Sequence, residues 1–273
     1  MSPHPASRSI AALSSLEGRV AVVTGGAGHI GATAAEGLVE LGATVAVVDL
    51  DPDRCEATAS ALRERGPGTA FAVPVDLADE PATRAVADRV LETTGRIDVL
   101  AHFAALVSAE PLPNWTTPFE EQGTKVWRRA LEVNLTAVFA LTQACTPALR
   151  QSGHGSVITV GSTYGIVGPD WRIYEGTDMG NAAGYAASKG GVIQLTRWLA
   201  TTLAPEVRVN CLTPGGVERG HPDSFREAYE ARTPLGRMAI EEDYKGATAF
   251  LASDLSAYVT GHNLVVDGGW TAW

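Results

Sequence analysis

Tyr185 and Lys189 have residue types and a spacing that suit proton transfer. The chain contains three lysines, and Tyr185 is the one tyrosine with a lysine four positions later. Residues at i and i+4 share one face of a helix, so both side chains can point into the same cleft. A free phenol titrates near 10, and a neighbouring ammonium group favours its ionised form. The pair therefore indicates proton exchange with an alcohol or a carbonyl group.

Two further polar residues could support this chemistry. Ser162 directly follows a predicted strand, so its hydroxyl could hydrogen-bond a substrate oxygen and stabilise the charge that develops there. Asn134 lies between Val133 and Leu135 in a helical pattern. An amide in apolar surroundings is a candidate for a water-mediated proton path. The alternative is a structural amide that is satisfied in the core.

A glycine-rich run from Thr24 to Gly31 joins the first predicted strand to a helix. Gly26, Gly28 and Gly31 fit the G-x-G-x-x-G spacing of dinucleotide sites. Residues without a Cβ let backbone N–H groups approach a pyrophosphate, and the following helix N-terminus favours the negative charge. The run predicts a dinucleotide-binding loop.

Asp49 ends the next predicted strand, 18 residues after Gly31. A carboxylate at this point accepts hydrogen bonds from an adenosine ribose and repels a 2′-phosphate. Asp51 adds negative charge nearby, whereas Arg54 is a contrary signal that we place in the following helix. We therefore expect NAD(H), with NADP(H) the less favoured cofactor.

These residues must be positioned by alternating strands and helices. Apolar, β-branched runs predict strands over Val20–Thr24, Thr44–Asp49, Phe71–Val75, Asp98–Phe103, Ser156–Gly161, Arg208–Thr213 and Asn263–Val266. Helical patterns fill the gaps over Ile30–Leu41, Arg54–Arg65, Glu80–Thr94, Val126–Gln151, Ala183–Ala204 and Glu241–Ala252. This alternation predicts an α/β fold: one doubly wound, Rossmann-like domain with about seven parallel strands and helices on both faces.

Three long loops follow predicted strands, where α/β sheets bind ligands: Val107–Lys125, Ser162–Ala182 and Gly215–Arg232. From them we take as candidate substrate residues Tyr164, Trp171, Tyr174, Arg219, His221 and Arg226. Arg219 or Arg226 could hold a carboxylate or a phosphate through two parallel hydrogen bonds. The alternative is that these are solvated surface charges.

Composition excludes several classes of protein. The chain has 273 residues, of which 45% are hydrophobic and 19% are charged, as in globular proteins. Lys and Arg number 21 against 31 Asp and Glu, a net charge of −10, which is the wrong sign for a broad nucleic-acid surface. No apolar stretch approaches the roughly 18 residues of a membrane span. We expect neither a nucleic-acid nor a membrane partner.

The remaining features concern location and organisation. Cys55, Cys145 and Cys211 are widely separated, which argues against a disulfide scaffold or a zinc cluster and favours a reducing, cytoplasmic location with no metal. Residues 1–17 lack the apolar segment of a secretory signal, so we expect a loose leader before a single domain over 18–273. Arginine supplies 18 of the 21 basic residues, which favours a bacterial source.

Taken together, these motifs resemble the short-chain dehydrogenase/reductase family over about residues 17–270. The resemblance is carried, in order, by Thr24 to Gly31, Asp49, Asp76-Leu77, Asn134, Ser162, Tyr185-Ala186-Ala187-Ser188-Lys189, Pro214-Gly215 and Val266-Asp267-Gly268-Gly269. It implies a Rossmann-like domain and hydride transfer with a nicotinamide cofactor. The final glycine pair is similar to one that packs across a subunit interface, which implies a homotetramer, or else a homodimer.

The resemblance also implies residue roles. Tyr185 becomes the acid/base, Lys189 lowers its pKa and holds the nicotinamide ribose, and Ser162 orients the substrate oxygen. Asn134 supports the proton relay. The implied cofactor-binding residues are Gly25, Gly28, His29, Ile30, Gly31, Asp49, Asp76, Leu77, Ala104, Lys189, Pro214, Gly215 and Val217.

The sequence departs from the family pattern near the cofactor. His29 stands where the family's glycine loop has its second glycine, and Gly28 precedes it. After the fourth strand, His102-Phe103-Ala104-Ala105 replaces the family's N-N-A-G. The second difference predicts an altered contact near the adenosine ribose.

Two further departures concern the substrate side. Ser162 and Tyr185 are 185 − 162 = 23 residues apart, a longer gap than is usual in the family, and Arg219 stands near the position of a usual threonine. The long gap contains Tyr174-Glu175-Gly176-Thr177, a stretch similar to one in family members of bacterial surface-sugar pathways. It indicates a polar, sugar-like substrate.

We therefore predict an NAD(H)-dependent enzyme that interconverts a secondary alcohol and a ketone on a small molecule. Two alternatives stay open. One is a redox-neutral enzyme that uses NAD catalytically, such as an epimerase. The other is a non-catalytic nucleotide-binding sensor, which would have no need of a tuned phenol.

Overall fold

The computed structural model describes residues 7–107 and 112–273. Its centre is a parallel sheet of seven strands in the order β3-β2-β1-β4-β5-β6-β7. The strands are β1 Val20–Thr24, β2 Thr44–Asp49, β3 Thr69–Pro74, β4 Val99–His102, β5 Gly155–Val160, β6 Val207–Pro214 and β7 Asn263–Val266. The order reverses between β1 and β4, which is where doubly wound sheets open a crevice for ligands.

The sheet is covered on both faces, which explains its apolar strands. In β1, Val20 and Val22 face one core while Ala21 and Val23 face the other. All five residues of β1 are buried, as are all six of β5. Strands of this kind can form only where helices exclude water from both sides of the sheet.

The helices form two layers. They are α1 Ile10–Ser14, α2 His29–Glu40, α3 Pro52–Leu62, α4 Glu80–Thr94, α5 Thr124–Leu131, α6 Ala137–Ser152, α7 Ala183–Leu203, α8 Asp223–Glu230 and α9 Lys245–Ala252. Helices α4, α6 and α7 pack on one face of the sheet, and α2, α3 and α9 pack on the other. The predicted Rossmann-like fold, with about seven parallel strands and helices on both faces, is confirmed.

The structure corrects several predicted element boundaries. The helix predicted over Val126–Gln151 is α5 and α6 joined by a π-helical turn, Glu132–Thr136. Strand β3 begins at Thr69, two residues before the prediction. The segment Glu241–Tyr244 is 3-10 helical rather than the first turn of α9.

The N-terminal segment contacts the rest of the fold. Within residues 1–17, where we expect a loose leader, the structure has helix α1, and Leu16 is fully buried. Arg8 forms an ion pair with Asp254 at 2.6 Å. The division into a leader and one domain stays a prediction. Over the described residues, no helix combines the length and the apolar character needed to cross a membrane.

A buried carboxylate ties the first strands together. The Asp98 side chain is fully buried and accepts a hydrogen bond from the Val20 N–H at 2.8 Å. The Arg96 guanidinium donates to both of its oxygens, at 2.9 and 2.6 Å. Its loss would leave a buried N–H group and a cation without their partner, which costs far more than the loss of an exposed ion pair.

We predict that Asp98→Ala lowers Tm by roughly 5 to 10 °C, the expected result of losing about 3 kcal/mol. The matched control is Glu56→Gln, which breaks the exposed Arg63–Glu56 pair and should shift Tm by less than about 2 °C. Thermal denaturation followed by circular dichroism gives both values. Equal shifts in the two variants would contradict the role given to Asp98.

Candidate active site

A cavity of about 650 Å³ opens at the carboxyl ends of the strands. Most of the predicted site residues line it: Gly25, Gly28, His29, Ile30, Gly31, Asp49, Asp76, Leu77, Ala104, Ser162, Tyr164, Tyr174, Tyr185, Lys189, Pro214, Gly215, Val217, Arg219 and His221. The glycine loop and the Tyr–Lys pair, far apart in sequence, therefore share one enclosed space. Their individual roles stay predictions.

Strand β5 and helix α7 bring the proton-transfer residues together. The Lys189 ammonium donates to the carbonyl oxygen of Val160, the last residue of β5, at 2.8 Å. Ser162 follows two residues later, and its hydroxyl lowers the pKa of the neighbouring Tyr185 phenol. Lys189 Nζ lies 5.8 Å from the centre of the Tyr185 ring. Because the helix repeats every 3.6 residues, anchoring Lys189 also places Tyr185 over Ser162.

Burial shifts the pKa values of Tyr185 and Lys189. Burial raises the pKa of Tyr185, while the hydrogen bond from Ser162 and the positive charge of Arg219 lower it. Burial also lowers the pKa of the Lys189 ammonium to about 8. Ser162 and Arg219 lower the pKa of Tyr185 and so favour the phenolate, and the Lys189 ammonium hydrogen-bonds the Val160 carbonyl oxygen.

Asn134 does not line the cavity but braces its wall. It lies in the π-helical turn and is buried. Its carbonyl oxygen accepts the Leu106 N–H at 2.6 Å, and its amide group donates to Ser188 Oγ at 3.1 Å. Ser188 Oγ in turn donates to the Tyr185 carbonyl oxygen at 2.7 Å. Asn134 thus holds the loop after β4 against the helix of Tyr185, while its part in a proton relay stays a prediction.

The glycine loop has the close packing that a dinucleotide requires. Gly25 adopts a φ of +66°, and a Cβ there would lie 2.5 Å from the Ala104 nitrogen. A Cβ on Gly31 would lie 2.1 Å from the Gly25 carbonyl oxygen. The loop is therefore pressed against the start of α2, whose free N–H groups suit a pyrophosphate. His29 forms the first residue of α2 and lines the cavity without disturbing this packing.

Asp49 closes the far end of the cavity. Its two oxygens accept the Ala27 N–H at 3.1 Å and the Leu50 N–H at 2.8 Å, which fixes the carboxylate at the strand end. Arg54 donates to the Ala27 carbonyl oxygen at 2.7 Å and also lines the cavity. The contrary signal for the cofactor therefore lies beside Asp49, although Arg54 belongs to α3 as predicted.

The glycine cradle, the start of α2 and the fixed carboxylate fit a nicotinamide dinucleotide. Asp76 and Leu77, which are predicted to contact the adenine, line the cavity, as do Pro214, Gly215 and Val217, which are predicted to lie near the nicotinamide. Because these two groups follow β3 and β6, they lie on either side of the switch point.

Four of the six candidate substrate residues line the cavity, and two do not. Tyr164, Tyr174, Arg219 and His221 line the cavity, and the hydroxyls of Tyr164 and Tyr174 hydrogen-bond each other. Trp171 and Arg226 do not line it. Trp171 is 58% exposed and packs against the outer side of Tyr174.

Several residues that line the cavity belong to none of the motifs identified in the sequence. Met179, Phe225, Tyr229 and Met238 contribute apolar surface near Tyr164 and Tyr174. Phe225 and Tyr229 are four residues apart on α8, a helix that is absent from the elements predicted above. Their helical spacing is the signal that could have identified them.

His102, which replaces an asparagine of the family pattern, contacts helix α6 and does not line the cavity. It is buried at the end of β4, and its Nε2 lies 3.0 Å from Thr142 Oγ1 on α6. Burial and the charge of Lys189 lower its pKa to about 3, so the ring is neutral at physiological pH. The substitution joins the sheet to α6, and the ring does not line the cavity.

Comparisons with known proteins agree with this geometry. Residues 25–271 match the sequence model of the family described as enoyl-(acyl carrier protein) reductase. The chain is 38% identical to cis-4-hydroxycyclohexanecarboxylate dehydrogenase of Sinomonas cyclohexanicum, over 93% of this chain and 97% of the relative. It is 35% identical to D-threitol dehydrogenase of Mycolicibacterium smegmatis, over 94% of each chain.

A solved structure extends the comparison. A Beutenbergia cavernae protein, proposed to be an NAD(P)-dependent gluconate 5-dehydrogenase and crystallised with NADP at low occupancy, superposes with a TM-score of 0.84. It is 37% identical, and the match covers 96% of this chain and all of the other. The shared fold therefore extends over the whole cavity.

We predict that Gly31→Ala weakens NADH binding at least about 10-fold and lowers Tm, because the added methyl group overlaps the Gly25 carbonyl oxygen. Gly246→Ala on α9 is the matched control, since a Cβ there meets nothing within 4 Å. Titration of NADH fluorescence measures the affinity. If Gly31→Ala bound NADH as tightly as Gly246→Ala, the glycine loop would not be the cofactor cradle.

Proposed function

Since the chain belongs to the short-chain dehydrogenase/reductase family, we propose that it is an NAD(H)-dependent enzyme that interconverts a secondary alcohol and a ketone on a small molecule. The family membership supports an oxidoreductase that acts on CH–OH groups. The observation that carries the proposal is the placement of Tyr185, Lys189 and Ser162 in the same cavity as the glycine loop, with Lys189 anchored to the Val160 carbonyl oxygen.

In the proposed reaction, residues of this chain accept the proton from the substrate and return it. In the oxidising direction, the Tyr185 phenolate accepts the proton of the substrate hydroxyl, and Ser162 hydrogen-bonds the same oxygen. Lys189 adds positive charge beside the phenol and is held in place by Val160. A bound nicotinamide dinucleotide supplies the hydride acceptor or donor. In the reducing direction, Tyr185 returns its proton to the carbonyl oxygen.

The preference for NAD(H) follows from Asp49. Its carboxylate is fixed by two backbone N–H groups at the point where an adenosine ribose would lie, so a 2′-phosphate would meet a negative charge. Arg54 is adjacent and could partner such a phosphate, but its guanidinium already donates to Ala27. The Beutenbergia cavernae protein was crystallised with NADP, and the proposal predicts that this chain differs from it in preferring NAD(H).

The named relatives act on a hydroxycyclohexanecarboxylate and on threitol, so both ring-shaped and sugar-like alcohols are substrates worth testing. A homotetramer or homodimer is part of the proposal. It is supported by exposed aromatic side chains on the α5, α6 and α7 side of the molecule: Trp127, Phe139 and Trp198. The cytoplasmic location and the bacterial source stay predictions.

Tyr185→Phe removes the proton acceptor while keeping the ring. We expect kcat/KM for alcohol oxidation to fall by at least about 100-fold, with NADH affinity changed less than about 2-fold. The assay follows NADH formation from NAD⁺ with D-threitol, xylitol and cis-4-hydroxycyclohexanecarboxylate. Tyr258→Phe, at a fully exposed tyrosine, is the control and should retain full activity. Full NADH formation by Tyr185→Phe would contradict the mechanism, whereas no NADH formation by the wild type would favour a sensor or a redox-neutral enzyme.

Asp49→Ser removes the charge that opposes a 2′-phosphate. We expect the ratio of kcat/KM for NAD⁺ over NADP⁺ to fall by at least about 10-fold, because hydrogen bonds to the ribose are lost and the repulsion disappears. Asp51→Ser is the matched control, because it removes a nearby charge and keeps a residue type that caps α3. An unchanged ratio in Asp49→Ser would refute the NAD(H) assignment.

A further inference from the structure

Arg219 places a positive charge at the reacting end of the cavity. It follows β6 and lines the cavity together with Tyr185. Its positive charge is one of the two influences that lower the pKa of Tyr185. The side chain is 34% exposed and lines the cavity.

The guanidinium is only partly engaged. Its Nε donates to Glu241 Oε1 at 3.1 Å, a contact that fixes the side chain. Among the residues that the structure describes, its Nη1 and Nη2 groups have no hydrogen-bond partner. These groups form the edge with which arginine binds a carboxylate. Arg219 is thus anchored and still able to receive an anion.

The neighbours of Arg219 limit the charge that it can accept. Glu218 lies beside it, and its Oε1 accepts the Gly220 and His221 N–H groups. Glu241, which pairs with Nε, already offsets part of the charge of the guanidinium. A singly charged anion adds less repulsion to this group than a phosphate dianion would. The site therefore favours a carboxylate over a phosphate.

His221 and the aromatic wall complete the pocket. The Arg219 N–H donates to His221 Nδ1 at 3.2 Å, which fixes the imidazole ring in the wall of the cavity. The His221 ring stacks on Phe225 with their centres 5.1 Å apart. Phe225 also packs against Tyr174, with centres 5.5 Å apart. A compact carbon skeleton can pack on these rings while its charge meets Arg219.

Arg226 cannot take this part. It lies on the same segment but forms an exposed ion pair with Asp223 at 2.7 Å and does not line the cavity. The alternative between two arginines, which the sequence leaves open, is therefore decided by position. Arg226 becomes a matched control for charge removal.

We propose that Arg219 binds the carboxylate of a hydroxy-acid substrate and of the corresponding keto acid, with the reacting carbon beside Tyr185 and Ser162. The inference rests on the proposed alcohol–ketone function and specifies the substrate class. It makes Arg219 a specificity-determining residue.

The test uses pairs of substrates that differ only in charge: cis-4-hydroxycyclohexanecarboxylate with its carboxamide, and D-gluconate with D-gluconamide. The readout is the ratio of kcat/KM for the acid over that for the amide. We expect a ratio of at least about 10 in the wild type, falling by about 10- to 100-fold in Arg219→Gln and unchanged in Arg226→Gln. Any effect of Arg219 on the pKa of Tyr185 alters both members of a pair equally, so the ratio removes it.

A second readout does not depend on turnover. Quenching of NADH fluorescence reports whether the acids bind to the enzyme–NADH complex, and we expect affinity to fall by about 10-fold or more in Arg219→Gln. Oxidation of the amides as fast as the acids overturns the inference and leaves the proposed function standing. An acid-over-amide ratio that falls in Arg226→Gln and not in Arg219→Gln also overturns the inference and leaves the proposed function standing. Arg219-dependent acid binding without any oxidation supports the carboxylate site and counts against the proposed function. If the acids are not oxidised and show no Arg219-dependent binding, both the inference and the proposed function are overturned.

Discussion

The buried ammonium of Lys189 is the constraint on which the active site depends. A charge in this position must be hydrogen-bonded, and it donates to the Val160 carbonyl oxygen at the end of β5. That single contact joins helix α7 to the sheet at the place where the strand gives way to Ser162. Because Tyr185 lies one helical turn before Lys189, the same contact brings the phenol to the serine hydroxyl. The hydrogen bond that satisfies Lys189 therefore also brings Tyr185 and Ser162 together.

A second set of contacts holds the opposite wall. The π-helical turn places Asn134 inward, where its amide binds both Leu106 and Ser188. The loop after β4 and the helix of Tyr185 are therefore connected through one side chain. On the far side, the packing of Gly25 against Ala104 brings the glycine loop to the same strand end. The cavity is thus enclosed by hydrogen bonds and close backbone contacts that originate in β1, β4 and β5.

How far the sequence predicts this arrangement depends on the distance over which each signal acts. The strands, the glycine loop and the Tyr185–Lys189 spacing arise from local periodicity and motif, and the structure has them at the predicted places, with strand ends shifted by one or two residues. The π-helical turn depends on Asn134 finding Leu106 and Ser188, partners that periodicity does not reveal. Arg219 is held by Glu241, 22 residues away, whereas Arg226 pairs with Asp223 and does not line the cavity. Substrate residues were therefore the least predictable part of the site.

The proposed mechanism requires Tyr185 to be a tuned phenol beside the cofactor and beside positive charge. Ultraviolet titration of tyrosinate in the wild type minus that in Tyr185→Phe, with and without NAD⁺, measures this property at one residue. The difference isolates one phenol among six tyrosines. We expect the oxidised cofactor, which carries positive charge on its nicotinamide, to move the titration of Tyr185 to lower pH. A midpoint that does not move when NAD⁺ binds would contradict the mechanism.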